Sequence, residues 1–165
     1  MDLAAYIVGR FSRLLNSPFR WTERDPEMAE HAWIGQRGED IAAAWLRSRG
    51  VKVLFRNFRA PGGGEVDIVG REGEVLLFTE VKTRVAGGEG RPLDAVDDKK
   101  RQLMRRGGKE WIKLLGRRNF PWRYDVIEVV LTPGERPAVN RVENITRKRI
   151  RASGGMPPQD LSAAP

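Results

Sequence analysis

The chain has no cysteine and a single histidine, His31, in 165 residues. The first absence removes disulfides, thiolate nucleophiles and every cysteine-based zinc site. The second removes a histidine-rich metal centre. A Ser-His-Asp relay would have to run through His31, and no serine stands in a nucleophile-elbow context. Next to Trp33, His31 reads as a helix-start or surface residue. Long apolar runs are also missing. Nothing approaches the ~20 residues of a membrane span, and nothing has the pattern of a secretory leader. Residues 3–16 are amphipathic, with Leu3, Ile7, Phe11, Leu14 and Leu15 on one face. Arg10 and Arg13 make them a poor span, so they read as a docking helix, with contact to a membrane surface as the lesser alternative. The expected location is the cytoplasm.

What the chain has is positive charge, net +8, unevenly placed. Residues 1–83 hold twelve basic and twelve acidic side chains, whereas 84–118 carry +6 and 141–151 carry +4. Two basic blocks on a neutral body suggest a polyanion partner; a solubilising surface is the plainer explanation.

The length suits one domain with extended ends. Residues 1–29 read as an N-terminal extension, the amphipathic segment plus a linker with two prolines, followed by a folded domain over 30–151 and a disordered tail over 152–165. Within the domain, Ile34, Gly38, Ile41, Ala42, Trp45 and Leu46 share a helical face in 32–49, with Gly50 placed to end that helix. Strands are expected at 51–55, 65–69 and 75–83, with 56–63 as a loop and Gly70–Gly73 as the turn of a hairpin. The glycine-rich stretch 83–92 reads as a mobile loop. A helix follows over 95–115, with Val96, Leu103, Met104, Trp111, Ile112 and Leu115 as its apolar stripe. A strand at 124–131 and a short edge strand at 137–142 complete the pattern. This order gives an α/β fold, a mixed central sheet flanked by helices.

Asp67 lies in the strand Glu65–Val69, and Glu80 and Lys82 lie at the end of the strand Val75–Thr83. Charged residues among β-branched and aromatic neighbours on strands call for a reason. A divalent-metal site that cuts phosphodiester bonds supplies one: two carboxylates hold the ion, and a lysine orients water or stabilises the charge of the transition state. The bland alternative is an ordinary Glu80–Lys82 ion pair. Glu39, early in the first helix, is a candidate further acid of the site, or simply an acid near a helix start. Arg84, Lys99, Lys100, Arg101, Arg105 and Arg106 are candidate phosphate contacts, or a solvated helix face. The geometry raises a difficulty. With the turn at 70–73, Asp67 pairs opposite residue 76 and stands about 13 Å from Glu80 along a flat ladder. Convergence then requires a bend, a bulge or another register.

The motifs Gly35-Gln36-Arg37-Gly38-Glu39, Gly64-Glu65-Val66-Asp67-Ile68-Val69 and Phe78-Thr79-Glu80-Val81-Lys82-Thr83-Arg84 resemble the YraN family. Lys100 and Arg123-Tyr124-Asp125-Val126 match its later motifs. That family is placed with the PD-(D/E)xK, restriction-endonuclease-like nucleases and is similar to Holliday-junction resolvases. The resemblance covers about 33–145. It implies a core of helix, three strands, helix and strand. It carries Asp67, Glu80 and Lys82 onto the nuclease signature, with Asp67 and Glu80 as metal ligands, and Glu39 onto a helix acid. It also implies a bent hairpin at the site. Val66 stands where the signature has proline. The activity implied is Mg²⁺-dependent (Mn²⁺ as substitute) endonuclease action on DNA, on branched or recombination intermediates, by a homodimer. The alternative is a nucleic-acid-binding protein that keeps the fold and cuts nothing.

Overall fold

The computed structural model describes residues 14–87, 98–116 and 121–145. Most of the amphipathic segment 3–16, half of the expected mobile loop, Val96 and the tail lie outside these residues. Helix α1 spans Glu30–Ser48. Strands β1 (Lys52–Ala60), β2 (Gly64–Glu72) and β3 (Val75–Val85) follow, then helix α2 (Asp98–Leu114) and strands β4 (Trp122–Leu131) and β5 (Ala138–Val142). The five strands form one mixed sheet in chain order. All neighbours are antiparallel except β3 and β4. A parallel pair needs a crossover, and α2 lies within it. The expected α/β architecture, a mixed sheet flanked by helices, is the one found.

Each helix covers one face of the sheet. Ile41, Ala42 and Leu46 of α1 pack with Ile68, Leu77, Ile127, Val129 and Leu131. On the other face Met104 of α2, supported by Trp111, packs with Phe58, Val66, Val69, Phe78 and Tyr124. Helix α1 ends as its sequence predicts. Gly50 takes φ +83°, the Gly50 N–H bonds to the Arg47 carbonyl, and the Val51 N–H bonds to the Leu46 carbonyl. That pair of bonds is a Schellman cap.

The structure differs from the sequence reading in three places. The β2–β3 turn is Gly73-Glu74, not Gly70–Gly73, because Glu72 pairs with Val75. A two-residue hairpin loop needs positive φ at its first position, and Gly73 supplies +55°. Strand β1 runs on to Ala60 through residues expected in a loop. It is an edge strand, so its charged side chains reach water without leaving the ladder. Finally, part of the segment read as linker is packed. Phe19 is 2% exposed, its N–H bonds to the Glu135 carbonyl, and its ring meets those of Trp21 and Trp33.

Candidate active site

Asp67 and Glu80 come together through the β2–β3 register. The last ladder pair is Ile68 with Thr79, so one step further Asp67 and Glu80 face each other. There the two strands part, and the Asp67 side chain takes over from the ladder: its Oδ2 accepts the Val81 N–H at 2.7 Å.

A local break in alternation coincides with that point. On β1, Arg56 reaches the acids of α1 while Phe58 meets Trp111 of α2, and between them Asn57 takes φ +54°. Arg56 pairs with Ile68 and Phe58 with Val66 across the ladder. Ile68 accordingly joins the α1-side core and Val66 the α2-side core, although they are two residues apart. Residues two apart normally share a face. Asp67 sits at this crossover of faces; of the routes to convergence that the sequence left open, the one found between β2 and β3 is a different register.

Glu80 and Lys82 share the face of Phe78, under α2. Glu80 is 2% exposed, and its Oε1 accepts from Lys82 Nζ at 2.8 Å. A second ammonium, Lys100 Nζ of α2, lies 3.5 Å from the same oxygen and 3.6 Å from Glu65 Oε2. Helix α2 comes this close because glycines line its contact. A methyl on Gly64 would lie 2.2 Å from the Gly107 nitrogen, and one on Gly107 would lie 2.9 Å from Val66 Cγ2. On the other face, a methyl on Gly38 would lie 1.7 Å from Thr83 Oγ1, so α1 is held against β3 just beyond Lys82.

Electrostatics follow from the burial. Desolvation first, then Glu80 and more weakly Glu39, push the Asp67 carboxyl up to about 7, against the pull of the Val81 N–H and Lys100. Burial pulls the Lys100 ammonium down, but Glu80, Asp67 and Glu65 outweigh it, and its pKa is raised. Asp67 and Glu80 are thus two crowded carboxylates, each with a further oxygen to offer. Among the described residues no group of three or more acidic or histidine side chains forms a metal cluster. A pair of carboxylates fits an ion that keeps water and takes phosphate oxygens for its other positions, which is the habit of Mg²⁺.

The remaining expected residues are spread more widely. Glu39 acts on Asp67 through its charge, but its nearest cation is Arg56, with Nη2 at 3.7 Å. It lines an open cleft of about 710 Å³ between α1 and β1, together with His31, Gln36, Asp40, Arg56 and Asn57. Arg84 pairs with Glu128 of β4 at 3.0 Å. Lys99, Arg105 and Arg106 are exposed on α2, while Arg101 is half-buried with its Nε enclosed. Sequence reasoning grouped Lys100 with these and gave no place to Glu65. The signal was present. Lys100, Met104, Gly107, Gly108 and Trp111 follow the spacing of one helical face, so Lys100 stands on the sheet-facing stripe.

The Asp67 shift sets a pH dependence. Unfolded, the group ionises near its ordinary 3.8; folded, it keeps its proton to about 7. Between those values the folded state binds the extra proton, so this group's contribution to metal-free stability declines as pH rises through that window. Asp67→Asn should flatten that decline and melt higher than wild type at pH 8 without added metal. Excess Mn²⁺ at pH 8 should then stabilise wild type by mass action and leave the variant unmoved. Scanning calorimetry at pH 5 and pH 8 checks both.

The fold and site together define a mixed α/β protein with a carboxylate–lysine centre where two strands of its sheet part. The chain belongs to the uncharacterised protein family UPF0102, whose model matches residues 38–129. This is the family of the YraN resemblance. A UPF0102 protein of Nocardia farcinica is 38% identical over 115 residues, 68% of this chain and 87% of the relative. One of Rhodococcus jostii is 37% identical over 117 residues, 71% of this chain and 98% of the relative. One of Geobacter sulfurreducens is 39% identical over 111 residues, 67% and 86%. The matched region contains Glu39, Asp67, Glu80, Lys82 and Lys100. Among the described residues, no helix is long and apolar enough to cross a membrane.

Proposed function

We propose that this protein is a metal-dependent endonuclease that hydrolyses phosphodiester bonds in DNA, with branched or recombination intermediates as substrates and a homodimer as the working form. The observation that carries the reading is the Asp67–Glu80 juxtaposition, with the Lys82 ammonium 2.8 Å from Glu80. A Mg²⁺ ion held by Asp67 and Glu80 would polarise the phosphate and acidify a bound water. Lys82, 38% exposed, reaches the mouth of the site, where its ammonium orients the attacking water or offsets charge on the phosphorane. Exposed Lys99, Arg105 and Arg106 lie on the same helix as Lys100 and supply phosphate contacts that carry no base information.

The test is a metal-dependent cleavage assay on duplex, single-stranded, flap and four-way-junction DNA, with Asp67→Asn as control. Cleavage by wild type in Mg²⁺ or Mn²⁺, lost in the variant, supports the reading. DNA binding that is strongly salt-dependent, with no cleavage of any substrate, would replace it with the binding-protein alternative. Glu80 held by two lysines is compatible with that alternative, because ion pairing alone accounts for a buried acid.

A further inference from the structure

The α2 helix offers the sheet a stripe of small and apolar residues, interrupted at its first turn by a lysine. Met104, Gly107 and Gly108 are buried, and Trp111 is half-buried. One turn before Met104 on that face stands Lys100, at a position where an apolar side chain would extend the packing. The neighbours Asp98 and Lys99 are exposed. The glycine contact between α2 and β2 fixes the height of the helix over the sheet, so Lys100 is held where it is rather than reaching in from solvent. Its ammonium lies 3.5 Å from Glu80 Oε1 and 3.6 Å from Glu65 Oε2. It therefore shares with Lys82 the one carboxylate oxygen of Glu80 that both reach.

We propose that Lys100 is a member of the carboxylate centre: it competes with a divalent cation for Glu80 and, with the cation in place, contacts the phosphate being cut. The inference rests on the nuclease reading for its second half only. Glu80 already carries two ammoniums on Oε1, so a divalent cation arriving at this carboxylate meets their repulsion and displaces the more weakly held partner. Lys100, at 3.5 Å against 2.8 Å for Lys82, is that partner. The released ammonium would remain tethered on α2 near the substrate phosphate, where a compact cation would offset the charge that builds in the transition state. Exposed phosphate contacts further along α2 act differently, since they lower the energy of bound DNA and of the transition state alike.

Calorimetric Mn²⁺ titrations of wild type, Lys100→Met and Lys113→Met decide the first half. Lys113 lies at the far end of α2, paired with Glu110. Loss of a positive charge within a few ångströms of the ion should tighten Mn²⁺ binding on the order of tenfold in Lys100→Met. Lys113→Met should match wild type. Equal Mn²⁺ affinity in all three proteins would overturn the proposal, whether or not Lys100→Met also melts lower. Single-turnover and steady-state kinetics decide the second half. A kcat reduced about 100-fold with KM within a factor of about three is expected. A raised KM at unchanged kcat would place Lys100 on the outer phosphate face instead. A wild type that binds Mn²⁺ but cuts no substrate would end the nuclease reading and the phosphate contact, while the calorimetric comparison would still decide the competition for Glu80.

Discussion

Replacing Lys82 with alanine is expected to reduce metal-dependent cleavage by on the order of 10²–10⁴-fold, the effect of losing a water-orienting or charge-stabilising group at a reacting centre. The fold should survive. Lys82 is 38% exposed, so it leaves little unfilled volume, and Glu80 keeps Lys100 as a cation after the substitution. On the proposed reading the double-stranded DNA affinity should remain within a few-fold, because one ammonium adds little where many phosphate contacts would hold the duplex. Mn²⁺ binding should be retained or tightened. The measurement is a pair of curves on one junction substrate, single-turnover cleavage and equilibrium binding. Unchanged turnover would reduce Lys82 to half of an ion pair.

The largest stability loss is expected from Asp125→Ala, away from the carboxylate centre. Asp125 is fully buried on β4, opposite Thr79 in the parallel ladder. Its Oδ2 accepts from Arg141 Nη2 at 2.7 Å and its Oδ1 from the Asn144 N–H at 3.0 Å, and Arg123 Nε lies 3.2 Å from each oxygen. Arg141 and Arg123 also hold Glu72 at the end of β2, so the cluster ties three strands together. Removing one partner of a buried ionic cluster leaves the others uncompensated, at a cost of about 3–5 kcal/mol. Chemical denaturation of wild type and Asp125→Ala checks this. A loss under about 1 kcal/mol would mean that water reaches both arginines and replaces the carboxylate. Glu72 adds a pH signature of the opposite sign to that of Asp67. Hydrogen bonding to Arg141 holds its carboxyl below the ordinary range despite partial desolvation, so its contribution is present at neutral pH and is lost as pH falls through the lowered value.

The two carboxylates show how far a linear reading reaches. Asp67 and Glu80 were legible as candidates, because charged groups on apolar strands stand out against their neighbours. Their meeting was not. Placing the turn at Gly70–Gly73 sets Asp67 opposite residue 76. The actual loop at Gly73-Glu74 moves the pairing by four positions and brings Asp67 opposite Glu80. Both placements put a glycine in the turn, so local turn chemistry did not choose between them. Alternation of apolar faces did not choose either, since a shift of four positions is even and leaves Ile68 and Leu77 on the α1 side and Val69 and Phe78 on the other in both registers; the pairing is legible only in the folded ladder.

By itself the sequence determined the class of fold, the order of the strands and helices and the Schellman end of α1, and it singled out Asp67, Glu80 and Lys82 as candidates, because each depends on local periodicity or on residue chemistry out of place. Tertiary structure alone decided what depends on distant segments meeting. The crossover of faces at Asn57 and Asp67 arises from two helices packing on opposite sides of one sheet. The burial of Phe19 comes from the segment after β4 closing over it. The approach of Lys100 to Glu80 follows from two glycines, forty-three positions apart, letting helix and strand backbones touch. A glycine carries no sign in the sequence of which other backbone it admits, and that is why this last contact had to be seen in three dimensions.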